Sequence, residues 1–116
     1  MSAPKIFESE YRFMQILWEN EPVNSTQLVA LCKERLDWSK ATTYTVIRRL
    51  SERGVIKNEN AVVTSLITKE ETQISEIEEL LEKRFEGSLP SFFAAFTKKQ
   101  KLSQKQIDDI MKIING

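Results

Sequence analysis

Apolar residues recur at three- and four-residue spacing through the first third of the chain. Tyr11, Met14, Leu17 and Trp18 line one helical face, and Phe13 and Ile16 widen it. The spacing predicts a helix with Ser9 as its N-cap, ended by Glu21-Pro22. Asn24 or Ser25 can cap a second helix with Leu28, Leu31, Cys32 and Leu36 on its inner side. Asp37-Trp38-Ser39 is a short connector, and Ser39 caps a third helix reaching roughly Arg53. Thr43, Val46, Ile47 and Leu50 are its inner positions. Gly54 stands where a helix-ending residue in the left-handed conformation belongs. The period then changes. Val55-Ile56 and Ala61-Val62-Val63 are small or β-branched and flank Asn58-Glu59-Asn60, which has turn chemistry. Residues 55–58 and 61–67 therefore read as a hairpin.

Helical spacing returns near Lys69, where Thr68 or Thr72 can act as cap. Ile74, Ile77, Leu81 and Phe85 form one stripe with Leu80 beside it, and Gly87-Ser88 breaks the segment. Leu89, Phe92, Phe93 and Phe96 lie on one side of a short helix. Ser103 and Gln106 form a capping box ahead of a last helix with Ile107, Ile110, Met111 and Ile114 on its apolar face. The fold class read from this order is mainly α with a small β-hairpin. Residues 1–68 are a winged helix-turn-helix domain, and residues 69–116 are a three-helix lobe. Each lobe helix is short and amphipathic, and fewer than fifty residues build little core of their own. The lobe is expected to pair with the same lobe of a second chain, through Ile74, Ile77, Leu81, Phe85, Leu89, Phe92, Phe93, Phe96, Ile107, Ile110, Met111 and Ile114; the alternative is that it folds back on the N-terminal domain.

Charge sharpens the reading of the third helix. The chain carries 17 basic and 17 acidic residues and no net charge. Between residues 38 and 58, however, the five basic residues Lys40, Arg48, Arg49, Arg53 and Lys57 face the single acid Glu52. Charge gathered on one short segment is what a phosphate-binding surface needs. With the inner positions fixed, Lys40, Ala41, Thr42, Tyr44, Thr45, Arg48 and Arg49 lie on or beside the outer face. A recognition helix brings its N-terminal residues closest to base edges. Short hydroxyls can reach bases there, and an Ala or Thr methyl can pack on a thymine methyl. Ser39 and the free N–H groups of the helix start can meet phosphate. Arg48, Arg49 and the hairpin's Lys57 would hold flanking phosphates, which position the protein without reading sequence. The plainer alternative makes Arg48, Arg49 and Arg53 surface arginines paired with Glu52 or Glu34. Tyr44 is then a boundary residue, Trp38 is core, and the winged helix is a protein-interaction module of a larger assembly.

Other chemistries find little support. With one cysteine and no histidine, neither a zinc site nor a His-based triad is expected, and no cofactor is implied. Cys32 sits on an inward helix face as a small core residue. Asp108-Asp109 and Glu78-Glu79 are adjacent on helices and do not face each other, so they read as solvated surface and not as an enzyme's carboxylate pair. Met1–Phe7 has no apolar segment of a secretory signal, and no run approaches the length of a membrane span. A cytoplasmic, non-enzymatic protein without membrane insertion is expected.

Several stretches resemble the penicillinase-repressor (BlaI/MecI/CopY) family of bacterial transcriptional repressors. They are Ser9-Glu-Tyr-Arg-Phe-Met-Gln-Ile-Leu-Trp18, then Trp38-Ser39 followed by Thr42, Thr45, Arg49-Leu50 and Gly54, and further on Phe85-Glu-Gly87-Ser88 and Leu102-Ser103. The resemblance spans nearly the whole chain. It implies a homodimer with intertwined C-terminal helices and two N-terminal heads on a palindromic double-stranded operator of an antibiotic-resistance or stress-type operon. Matching positions imply base readout by Ala41 and Thr42, with Thr45 and Arg49 near the groove or backbone. Members often carry a basic residue where Ala41 stands. The hairpin is shorter than in the best-known members and lacks their Tyr-Tyr pair and most of their basic charge, so a weak wing contribution is expected. Copper-responsive members end in Cys-x-Cys, whereas the last residues here are Ile113-Ile-Asn-Gly116, so copper sensing by such a tail is not expected. Antibiotic-responsive members are cut in the fifth helix under a membrane sensor-protease pathway. The matching bond is Ala95–Phe96, and Ala95 replaces the family's Asn.

Overall fold

A computed structural model describes residues 4–116. Residues 1–3, which open the Met1–Phe7 stretch read above as no signal, lie outside the described residues. The elements in order are α1 (Glu8–Asn20), β1 (Val23–Asn24), α2 (Ser25–Leu36), α3 (Lys40–Glu52), β2 (Ile56–Glu59), β3 (Val62–Ser65), α4 (Lys69–Arg84), α5 (Leu89–Lys99) and α6 (Gln104–Asn115). The chain divides into two compact units, one reaching Glu76 and one spanning Ile77–Gly116. The division falls inside α4.

The first unit holds the core. Phe13, Met14, Ile16 and Leu17 of α1 pack with Leu28 and Cys32 of α2, and with Val46, Ile47 and Leu50 of α3. Val23, Val55, Ile56, Val63 and Ile67 complete the cluster. Each large side chain so buried contributes about 1.5–3 kcal/mol. Leu31, Leu36, Trp18 and Trp38 are only partly buried and border this cluster. The Trp38 ring stacks on Phe13 at 6.2 Å, which fixes the α2–α3 connector against α1.

Local sequence explains most element ends. Asn24 caps α2 by accepting the Thr26 N–H at 2.8 Å. Thr68 caps α4 by accepting the Glu71 N–H at 2.9 Å. The start of α1 differs from expectation: Phe7, not Ser9, is the cap residue. The Phe7 N–H donates back to the Glu10 carboxylate at 2.9 Å, so an acid in the first turn does the work of a capping hydroxyl. Helix α3 closes in a Schellman motif. The Val55 N–H bonds the Leu50 carbonyl at 2.9 Å and the Gly54 N–H bonds the Ser51 carbonyl at 3.1 Å, with Gly54 at φ +76°. A Cβ at Gly54 would meet nothing within 4 Å, so the strain of a substitution lies in the backbone alone. Gly54→Ala should lower stability by about 1 kcal/mol, read as an earlier urea midpoint with an unchanged slope.

The expected hairpin is present as β2 and β3, and β1 joins it as a third antiparallel strand in the order β1-β3-β2. Val23 and Asn24 pair with Val63 and Val62. The turn is Asn60-Ala61, both at positive φ, between the paired Glu59 and Val62. A two-residue loop with both φ positive matches strand twist, so β2 runs one residue beyond the expected end at Asn58, to Glu59. The Ala61 carbonyl accepts the Ser25 N–H at 2.8 Å, which ties the wing to the start of α2. Glu21 holds the other end, accepting from the Ser65 N–H at 2.7 Å and from its hydroxyl. Trp18 Nε1 donates to the Ile67 carbonyl at 3.1 Å.

In the second unit, Glu86 and Gly87 at positive φ end the α4 segment. Ser88 caps α5, and Ser103 with Gln106 forms the capping box expected for α6. Phe92 is the hub of its packing, with ring contacts to Phe85 at 5.4 Å, Phe96 at 5.8 Å and Phe93 at 6.3 Å. No residue from 77 to 116 is buried.

Candidate nucleic-acid interface

Helix α3 is amphipathic as its sequence requires. Thr43, Val46, Ile47 and Leu50 are buried, and the opposite side is open. Ser39 is the N-cap and accepts the Thr42 N–H at 3.1 Å. Its hydroxyl also donates to the Thr42 hydroxyl at 2.9 Å. The two hydroxyls thus lie together at the exposed N-terminal end of α3. Lys40, Ala41 and Thr42 are exposed, Tyr44 is exposed one turn on, and Thr45 is half-buried beside it. Arg48 and Arg49 are exposed further along. Arg48 lies 4.0 Å from Glu52, an exposed pair one helical turn apart that is worth little and opens readily.

The wing adds little positive charge. Lys57 is exposed on β2 but lies 3.3 Å from Glu59 on the same strand. Buried Thr43 satisfies its hydroxyl on the Ser39 carbonyl at 3.1 Å and lies beside the Cys32 thiol. Burial pushes that thiol up to about 11, so Cys32 is an inert packing group.

Arg53 belongs to a different arrangement from the other basic residues, one that local sequence does not reveal. Its Nη1 donates to Glu10 Oε2 at 2.9 Å and its Nη2 to Glu10 Oε1, a two-pronged pair between residues 43 positions apart. Glu10 is 6% exposed. Burial pushes its carboxyl up, but the Arg53 hydrogen bonds, the Phe7 N–H and the charges of Arg53 and Arg49 together hold it below the usual 4.5. A carboxylate lowered in this way stabilises the fold fully above 4.5, and the contribution is lost as pH falls through the lower folded value. Glu10→Gln should therefore cost about 2 kcal/mol at neutral pH, discounted because Arg53 still meets solvent. Urea titrations of both forms between pH 3 and 7 should show the gap narrowing at the acid end.

In the lobe, the residues expected to pair with a second chain are open or half-open. Ile74, Ile77, Leu89, Phe93, Phe96, Ile107, Met111 and Ile114 are exposed, and Leu81, Phe85, Phe92 and Ile110 are half-buried. Ala95 and Phe96 sit in the middle of α5, with the Phe96 ring stacked on Phe92. No helix of the described residues is long and apolar enough to cross a membrane.

A winged helix-turn-helix whose third helix turns short hydroxyls and arginines outward defines a DNA-binding transcription regulator. The family model of the penicillinase repressor matches residues 6–116, and the chain belongs to that family of transcriptional repressors. It is 27% identical over 115 residues to the methicillin resistance regulatory protein MecI of Staphylococcus aureus strain Mu50, covering 96% of this chain and 94% of that one. It is 23% identical to the penicillinase repressor of Bacillus licheniformis, over 96% of this chain and 90% of the relative. Identity to the penicillinase repressor of Staphylococcus aureus is 26%, over 96% and 91%.

Proposed function

We propose that this chain acts as a homodimer on a palindromic operator of an antibiotic-resistance or stress-type operon and represses by occluding the promoter. Residues 1–68 form the DNA-binding domain and residues 69–116 the dimerisation lobe. The observation that carries the reading is the outer face of α3. Ala41 and Thr42 stand at its N-terminal end for base contact, and Ser39, Lys40, Tyr44 and Thr45 surround them. Arg48 and Arg49 lie one to two turns further on, at the distance of flanking phosphates. Lys57 adds a minor contact from the wing.

The lobe supports the dimer. Its apolar side chains have no buried position within residues 77–116, and a second copy of the lobe would supply one. The relatives named for penicillinase and methicillin resistance support an antibiotic-linked operon. The family resemblance would put a cleavage that releases the operator at Ala95–Phe96, under a membrane sensor-protease pathway, although Ala95 stands where the family has Asn. A cut there would strip Phe96 and the whole of α6 from the dimer surface.

Anisotropy titration against a labelled duplex from upstream of the chain's own gene, beside a scrambled duplex, tests the reading at two salt concentrations. Preference for the first duplex, with affinity falling steeply as salt rises, is the expected result. Equal binding to both duplexes, or binding indifferent to salt, would overturn it.

A further inference from the structure

Of the basic residues of the 38–58 segment, Arg53 is the one that is half-buried, its guanidinium held by protein groups on one side. Its Nη1 and Nη2 both donate to Glu10. Nη2 also donates to the Lys5 carbonyl at 2.9 Å, and the guanidinium lies 5.4 Å above the Phe7 ring. Glu10 in turn accepts the Phe7 N–H. The C-cap of α3, the first turn of α1 and the segment before it are thus bound into one knot around two opposite charges. Arg53 is the C-cap of α3, and Ser39 is its N-cap. At 1.5 Å per residue the knot lies about 20 Å from the end that would enter the groove.

We propose that Glu10 and Arg53 are a positioning pair for DNA recognition: Glu10 holds Arg53 away from phosphate and fixes the tilt at which α3 presents Ala41, Thr42, Arg48 and Arg49. This rests on the DNA-binding reading above. The physical case has two parts. A two-pronged guanidinium–carboxylate pair has a directional geometry that a single apolar contact lacks, so it resists rotation of the helix end. The pair also settles what Arg53 does. An arginine at the end of a basic helix would otherwise join the phosphate contacts, which bind every sequence alike and dilute discrimination.

The two parts give separable signatures. Glu10→Gln loosens α3 and frees Arg53 for phosphate. Arg53→Ala loosens α3 and supplies no new cation. Both should bind the operator about tenfold more weakly than wild type, the range in which non-contacting residues tune a site. Their salt dependence should differ. The slope of log affinity against log salt should steepen by about one unit per head in Glu10→Gln and stay unchanged in Arg53→Ala. Binding to a scrambled duplex should hold or rise in Glu10→Gln, so its operator preference falls on both counts. A pair serving only stability would move none of these readouts in the folded protein.

The experiment uses the full-length chain and a duplex enriched by wild type from a random-sequence pool, with a scrambled duplex as control. It is run well below each variant's melting temperature, with folding checked by circular dichroism. Weaker, less selective binding by Glu10→Gln with a steeper slope, set against the unchanged slope of Arg53→Ala, is the expected outcome. Folded Glu10→Gln binding the operator within twofold of wild type, or identical slopes in the two variants, would overturn the positioning role and leave the DNA reading standing. Failure of wild type to enrich any duplex would overturn both.

Discussion

Replacing Arg48 and Arg49 together by alanine should weaken operator binding about a thousandfold while leaving the fold intact. Both side chains are exposed, and neither belongs to the core of the first unit. The Arg48–Glu52 contact at 4.0 Å contributes little, so the melting temperature should stay nearly constant. Each head would lose two charge-assisted contacts and a dimer four. At about 1 kcal/mol apiece, the central net value for a hydrogen bond in water, that is roughly three powers of ten. The salt slope should become shallower by about three to four units, at 0.9 per neutralised phosphate. Binding to a scrambled duplex should fall in similar proportion, because phosphate contacts carry no sequence information. Anisotropy titrations at several salt concentrations check all three. A double variant that keeps wild-type affinity would remove DNA from the function of this helix and return the winged helix to the protein-interaction alternative.

The legible and the hidden parts of this molecule divide by distance along the chain. Helix α3 could be read almost to the residue, because Ser39 and Gly54 mark its ends and Thr43, Val46, Ile47 and Leu50 mark its inner side. The capping box of Ser103 and Gln106 was readable for the same reason, since partner and cap are three residues apart. The cap of α1 was misread because Glu10, not a hydroxyl, satisfies the exposed N–H. Strand β1 was missed because a two-residue strand has no period, and its only mark is a β-branched Val23. The partner of Arg53 was the largest omission. Local reading offered Glu52 and Glu34, yet the fold delivers Glu10 from the far end of the domain. Helical periodicity says which face is inward but not which element lies against it. The outer face of α3 depends on local pattern alone, whereas the pair that braces its end depends on tertiary structure.

Phe93→Glu should convert the proposed dimer into a folded monomer and, through that change, also abolish tight binding to the proposed operator. Phe93 is 39% exposed in the single chain and touches only the Phe92 ring among the aromatic residues of its unit. A carboxylate there can turn to water in the monomer at little cost. In a dimer the same position would bury an unpaired charge, which costs about 3–5 kcal/mol. Because both copies carry the substitution, the penalty falls twice, and the dissociation constant should rise by at least a thousandfold. Sedimentation equilibrium reads the mass directly, and circular dichroism confirms that the helices persist. The effect on DNA follows from linkage between heads. Once one head is bound, the second meets its half-site at the effective concentration set by the shared lobe, and a monomer loses that gain of about a hundredfold or more. The salt slope per bound head should not change, since α3 is untouched. Loss of affinity at constant slope per head separates this variant from the Arg48/Arg49 pair, where the slope itself falls. A Phe93→Glu chain that remains dimeric would mean that α5 lies outside the shared surface, leaving Ile77, Ile107, Met111 and Ile114 of α4 and α6 to form it.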